Sequence, residues 1–305
     1  MRSMLPAWTN AVAVVLAVPL AAQTTGAAQS TSHRIRVGAR ERRYEVDLPP
    51  QYDGRTPLPL VLDFHGGGGS PGGARTQTGF STLGARVGAI VVYPAGSGRL
   101  GTRRLLTWND ETCCAYAQRA HVDDRGFVRA LLDTLVASYA IDTTRIFATG
   151  ISNGGMMAYL VGCDDADRVA AIAVVSGELT IDCHPTRPVA VLIIHGTADE
   201  NLPYNGGVGS KALARHQVRP VSYAVNTWRA LDGCPDSAAT TTAGVVTHSV
   251  WAPCARGTAV ELYTIEGGGH AWPGGRRMAS FLDEPSGALN ATEVAWAFFT
   301  AHARR

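Results

Sequence analysis

The run Thr149-Gly150-Ile151-Ser152-Asn153-Gly154-Gly155-Met156-Met157-Ala158 decides how this chain is read. Before it, Thr144-Arg145-Ile146-Phe147-Ala148 is a short apolar run of the kind that forms a buried strand. After it, residues 156–161 are apolar, free of Pro and of good helix propensity. A Gly-x-Ser-x-Gly sequence between a strand and a helix predicts a turn too tight for bulky neighbours. The serine is then forced into a strained backbone region, and its hydroxyl projects above the strand ends. The N–H of Asn153, at the start of the helix, points at the same spot. A Gly-rich loop with an incidental serine would carry the same five residues, so the rest of the chain must choose between the two.

Working outward, the flanking sequence repeats the strand-helix alternation. Residues 32–37 and 42–48 alternate polar and apolar around the turn 38–41, as a half-exposed β-hairpin does. Residues 59–65, 89–94, 169–177 and 189–196 are near-continuous apolar runs, the mark of central parallel strands. Residues 128–135, with apolar positions at helical spacing, and 211–231, around Trp228, read as helices. Asn290 and Glu293 have capping-box spacing ahead of a last helix over 294–299. Residues 247–251 and 260–265 read as late strands. This pattern predicts the α/β class, with a mostly parallel sheet and one domain over residues 29–305.

If Ser152 is a nucleophile, it requires a base, an orienting acid and donors for an oxyanion. Asp199, in His195-Gly196-Thr197-Ala198-Asp199, follows an apolar strand and is the candidate acid. Glu200 lies a residue too far into the loop, and Asp123 and Asp124 precede the serine, against the expected chain order. His270 follows the strand 260–265 behind three glycines, Gly267-Gly268-Gly269, and is the candidate base. His65 and His195 end strands in His-Gly turns and are expected to brace those turns. The loop His65-Gly66-Gly67-Gly68-Gly69 is expected to offer a backbone N–H, from Gly67, beside that of Asn153. A phosphate-cradling reading of that loop lacks the Gly-Lys-Ser/Thr or the ribose-binding acid it would need. Ser, acid and His arrive in order, each after a predicted strand, and catalysis is the reading they favour together.

The 305 residues are 46% hydrophobic and 17% charged with a net charge of +2, so neither disorder nor a nucleic-acid partner is indicated. Arg2, the apolar run 11–20 and the small residues Ala21-Ala22 describe a secretory leader within residues 1–28, cleaved after Ala22 or Ala28. The run is too short for a membrane span, so a secreted or periplasmic protein without stable membrane insertion is expected. Six cysteines with no Cys-x-x-Cys fit disulfides rather than metal. Cys234 and Cys254 bracket a polar, hairpin-like excursion and are the expected pair. Cys113 and Cys114, being adjacent, are expected to bond Cys163 and Cys183 in an order left open. The long loop 95–120 should shape the site. Trp108 and Trp272 are candidates to stack on an aromatic acyl group or a sugar, or else to pack internally.

Together, His65-Gly-Gly-Gly-Gly, Trp108 with Cys113-Cys114, Val122-Asp-Asp-Arg-Gly-Phe127, Gly150-Ile-Ser-Asn-Gly-Gly-Met-Met-Ala158, His195-Gly-Thr-Ala-Asp199 and Gly269-His-Ala-Trp-Pro-Gly274 resemble a known group. They are similar to the LpqC-like branch of secreted α/β-hydrolases, which groups poly(3-hydroxybutyrate) depolymerase-like esterases with feruloyl and acetyl-xylan esterases. The resemblance runs from about residue 33 to the C-terminus. It implies an α/β-hydrolase fold with helices on both faces of the sheet. It also implies a cofactor-free, metal-free serine esterase using Ser152, Asp199 and His270, with Gly67 and Asn153 as oxyanion donors. Plant cell-wall phenolic or acetyl esters are the expected substrates, with a polyester as the alternative. A serine peptidase and a non-catalytic carbohydrate-binding protein on the same fold are the other classes the sequence allows.

Overall fold

The computed structural model describes residues 27–99, 105–212, 215–280 and 282–304. In chain order the elements are β1 (Gln29–Val37), β2 (Arg40–Leu48), β3 (Leu58–Phe64), α1 (Pro71–Thr78), α2 (Phe80–Val87), β4 (Ile90–Pro94), α3 (Ala115–Arg119), α4 (Asp124–Ser138) and β5 (Ile141–Ile151). Then follow α5 (Asn153–Asp164), β6 (Ala171–Val175), β7 (Ala190–Gly196), α6 (Val221–Leu231), β8 (Ala239–Ala243), β9 (Val246–Trp251), β10 (Val260–Ile265) and α7 (Ala291–Ala301). The expected leader falls on residues outside the described ones, apart from Ala27 and Ala28.

The strands form one sheet in the order β1-β2-β4-β3-β5-β6-β7-β10-β9-β8. The six strands from β4 to β10 run parallel, and an antiparallel pair flanks each side. Successive strand residues face opposite sides, so the apolar runs feed two cores at once. Leu60, Leu62 and Phe64 of β3, with Ile146 and Ala148 of β5, pack with α4, α5 and α6 on one side. Val61 and Phe147, from the same strands, pack with α2 and α7 on the other, where Phe147 stacks on Phe299. A strand buried on both faces has no polar alternation to show, which is why these segments read as continuous apolar runs.

Three details depart from the sequence expectations. The helix expected over 211–231 begins only at Val221, because Pro220 disfavours helical backbone at Arg219 and itself takes the N-cap position. Asn290 does cap α7, accepting from the N–H groups of Thr292 and Glu293 at 3.1 Å each. Glu293, however, pairs with Arg86 rather than closing a capping box. The disulfides are Cys163–Cys183, Cys234–Cys254 and the adjacent pair Cys113–Cys114, so the expected crossing of 113 and 114 with 163 and 183 is corrected. The peptide between Cys113 and Cys114 is cis, with Cα atoms 3.1 Å apart, and α5 holds Cys163 directly opposite Cys183 at a Cα separation of 5.3 Å. The Cys163–Cys183 separation is the ordinary one for a disulfide. Cys234–Cys254 closes the β8–β9 hairpin.

Candidate active site

The turn from β5 to α5 holds Ser152 at φ 58°, ψ −126°, a conformation that costs an L-residue about 1–3 kcal/mol. Burial offsets that cost, since each fully buried side chain such as Met157 or Leu160 contributes about 1.5–3 kcal/mol. The flanking glycines are required by contact rather than by their own dihedrals. A Cβ on Gly150 would lie 2.6 Å from the carbonyl oxygen of Phe64, and one on Gly154 would overlap that same oxygen. The elbow is therefore wedged against the end of β3, where the glycine loop starts.

That loop sits directly beside the serine: a Cβ on Gly66 would come 3.6 Å from Ser152 Cβ. The Gly66 carbonyl accepts from the Gly69 N–H at 3.0 Å and contacts His65 Nδ1 at 2.8 Å. His65 Nε2 accepts from the Gly96 N–H at 3.0 Å. A carbonyl cannot donate and an amide N–H cannot accept, so Nδ1 carries the proton and Nε2 the lone pair. Burial lowers the pKa of His65 to about 4, which keeps that neutral form at neutral pH. In a trans peptide the C=O and the next N–H point in opposite directions. Turning the Gly66 carbonyl toward His65 therefore turns the Gly67 N–H away from it. Asn153, first residue of α5, has an N–H with no helical acceptor.

The loop after β7 carries Asp199, which is buried. Its Oδ1 accepts from the N–H groups of Asn201 and Leu202 at 2.9 and 2.8 Å. Its Oδ2 meets His270 Nδ1 at 2.8 Å and His195 Nε2 at 3.3 Å. Burial works to raise the Asp199 pKa, but the hydrogen bonds from His195 and His270 outweigh it and hold the carboxyl well below the usual carboxylate range. His195 also donates to the Leu202 carbonyl at 2.8 Å, so it braces the turn and touches the acid as well. The His270 backbone N–H donates to Asp283 at 2.8 Å. The acid and base loops interlock through the Ala198 N–H on the Gly268 carbonyl, 2.9 Å.

Sequence reasoning missed three of these supports: His195 on the acid, Asp283 behind the base, and the side chain of Asn153. The last accepts from the Trp108 N–H at 2.8 Å and donates to Asp110 at 3.2 Å, fastening the loop 95–120 to the elbow. His195 and Asn153 stand inside motifs that the sequence shows, but the partners of their side chains lie on distant segments, and Asp283 lies in no motif.

The expectation that Trp108 and Trp272 contact substrate is corrected by their burial. Both are 0% exposed. Trp108 donates through Nε1 to the His65 carbonyl at 2.9 Å and packs edge-on against Phe64 beneath the glycine loop. Trp272 donates to Thr292 Oγ1 at 3.0 Å and packs on Phe80. An indole that has both a full apolar contact and a partner for its N–H belongs to the core. Among the described residues no group of three His, Cys, Asp or Glu side chains could hold a metal ion, and no helix is long and apolar enough to cross a membrane.

Parallel strands, helices on both faces and a strained serine elbow above the strand ends define an α/β-hydrolase fold. The acetyl xylan esterase from Aspergillus awamori shares that fold, with a TM-score of 0.58 at 14% identity over 89% of this chain and 99% of that one. The sequence model of the family described as Esterase PHB depolymerase matches residues 43–201, just over half of the chain, and the chain belongs to that family. Feruloyl esterase B of Piromyces equi is 31% identical over 257 residues, 80% of this chain and 45% of that protein. The bifunctional acetylxylan esterase/xylanase XynS20E of Neocallimastix patriciarum is 29% identical over 220 residues, 70% of this chain and 29% of that protein. The chain spans less than half the length of these two relatives.

Proposed function

We propose that this protein is a serine carboxylic-ester hydrolase in which Ser152 is the nucleophile, His270 the base and Asp199 the orienting acid. The observation that carries the reading is the hydrogen bond between buried Asp199 and half-buried His270, on the same edge of the parallel sheet as a strained serine elbow. In this reading Nε2 of His270 takes the hydroxyl proton as Ser152 Oγ attacks the ester carbonyl. The carbonyl oxygen becomes an oxyanion that accepts from the N–H groups of Gly67 and Asn153. Collapse of the tetrahedral adduct breaks the ester C–O bond, and His270 returns the proton to the departing alcohol. Water then repeats the sequence on the acyl-enzyme and frees the acid. No cofactor or metal takes part.

Feruloyl or acetyl esters of plant cell-wall polysaccharide are the proposed substrates, supported by the named activities of the relatives and by a proposed secretory leader over residues 1–28 ahead of one catalytic domain, 29–305. A polyester is the second reading. It is favoured by three exposed apolar side chains, Leu105, Val208 and Met278, on the segments that follow β4, β7 and β10. Ser152→Ala should abolish hydrolysis of p-nitrophenyl acetate and labelling by a fluorophosphonate while leaving the thermal transition in place. Undiminished turnover in that variant refutes the triad, and labelling without peptide hydrolysis separates an esterase from a peptidase. Failure of the wild type to label would favour a non-catalytic binding protein. Methyl ferulate, acetylated xylan and poly(3-hydroxybutyrate) film then sort the substrates.

A further inference from the structure

A second concave site lies on the same edge of the sheet as Ser152. The C-terminal end of β4 and the N-terminal end of the antiparallel β2 meet there, with Tyr44 paired to Pro94. Around them opens a cleft of about 280 Å³ lined by Arg40, Glu41, Arg42, Ser97, Arg99 and Tyr116. Neighbouring strands are roughly 4.8 Å apart, so this cleft, two to three strands from β5, sits roughly 10–14 Å to the side of the nucleophile.

The charges in it do not cancel. Glu41 is engaged by Arg34 at 2.7 Å, and Arg42 is buried against Asp124 at 2.6 Å. Arg42 Nε has no hydrogen-bond partner among the described residues. Arg40 and Arg99 are exposed, and no carboxylate pairs with either among the described residues. Two unneutralised guanidiniums thus share a concavity with a half-buried tyrosine ring and the Ser97 hydroxyl. A guanidinium pair in a cleft selects a planar anion, carboxylate above all, and an aromatic face beside it selects a sugar ring.

We propose that this cleft is a subsite for an acidic sugar, a uronate whose carboxylate meets Arg40 and Arg99 while its ring lies against Tyr116. The inference rests on the reading of Ser152 as an ester-hydrolysing site for polysaccharide, since the cleft would seat a charged branch of the chain whose ester occupies that site. It makes the enzyme selective for acidic over neutral regions of the polymer.

Calorimetric titration tests this without requiring turnover. The wild-type protein is titrated with two ester-free xylo-oligosaccharides of equal length, one neutral and one bearing a single uronate branch. The acidic sugar should bind about tenfold tighter at low salt, the gain expected from a charge-assisted bidentate contact. About 0.5 M NaCl should erase the preference, because both arginines are exposed. So should the double substitution Arg40→Ala/Arg99→Ala, with the thermal transition checked to match the wild type. Equal affinity for the two sugars, or a preference that survives loss of both arginines, overturns the proposal. Tighter binding of a hydroxyacid oligomer than of the acidic sugar overturns it in favour of a polyester end-group site. The underlying hydrolase reading fails separately, through wild-type protein that does not cleave p-nitrophenyl acetate.

Discussion

Replacing His65 should slow the chemistry without touching the triad. His65→Leu keeps the bulk of the ring but deletes the Nδ1–H that meets the Gly66 carbonyl and the Nε2 that receives the Gly96 N–H. The Gly66 carbonyl then keeps only the Gly69 N–H, so the peptide presenting the Gly67 N–H loses one of its two tethers. A tether of this kind is worth about 1 kcal/mol, and the full loss of an oxyanion donor costs about 2.7–4 kcal/mol. The expected fall in kcat lies between those limits, about ten- to hundredfold, with KM little changed because the donor works on the developing charge. The variant should also melt earlier, since the buried Gly96 N–H is left without an acceptor, at about 1–3 kcal/mol. Two further variants separate positioning from stability. His65→Asn places an amide N–H near the position of Nδ1 and should recover much of kcat. His65→Gln reaches the position of Nε2, and should recover melting temperature more than rate. Steady-state kinetics on p-nitrophenyl acetate beside thermal denaturation reads both. A Leu variant whose kcat stays within about twofold, or whose loss appears only in KM, refutes the claim that His65 sets the peptide plane.

Asp199→Asn should lower kcat by up to about 10⁴-fold, because an amide can present the wrong group to His270 Nδ1 and mis-set its tautomer; a loss under about tenfold would remove Asp199 from the triad. Stability should fall as pH rises from about 4 to about 7 wherever buried carboxyls are forced to ionise. Burial raises Asp63 and Asp232 to about 7, each against a single hydrogen bond, from Thr78 and from the Val189 N–H. The folded state therefore holds protons that the unfolded chain releases near pH 4, and these groups stabilise the fold fully only below that value. His65 acts in the opposite sense: its pKa is depressed to about 4, so its contribution is full above about 6.5 and is lost as pH falls to about 4. Chemical denaturation across this range should show a shallower decline in Asp63→Asn/Asp232→Asn than in the wild type, and an unchanged slope would contradict the assigned shifts.

Most of the fold and the residues of the candidate triad were legible because they follow from local rules. Strands buried on both faces announce themselves as apolar runs, and a serine flanked by glycines between a strand and a helix has few other structural uses. What escaped depends on contacts between distant segments. Nothing local tells an indole that lines a mouth from one that fills a core. Trp108 is settled only by Phe64, Phe127 and the His65 carbonyl closing around it. Apolar spacing extends the helix back to 211, whereas Pro220 starts it at Val221. The cysteine pairing is not local either, because the direction of α5, which sets Cys163 opposite Cys183, is a tertiary fact.

The supports that escaped notice connect the two proposed oxyanion donors to each other. Asn153 offers one N–H from its backbone while its side chain holds the Trp108 N–H and Asp110. Trp108 passes its indole N–H to the His65 carbonyl, and His65 fixes the Gly66 carbonyl behind the second donor. One chain of hydrogen bonds, almost wholly buried, thus runs from the elbow to the glycine loop through the loop 95–120. Burial strengthens such a chain only while every member is satisfied, and leaving one group unpaired costs more than any single bond contributes. The two donors are therefore not independent parts. Asn153→Ala keeps its own N–H yet releases the Trp108 end of the chain, so its effect on rate should combine with that of His65→Leu less than additively. Additive losses would mean that each donor is held by its own loop alone.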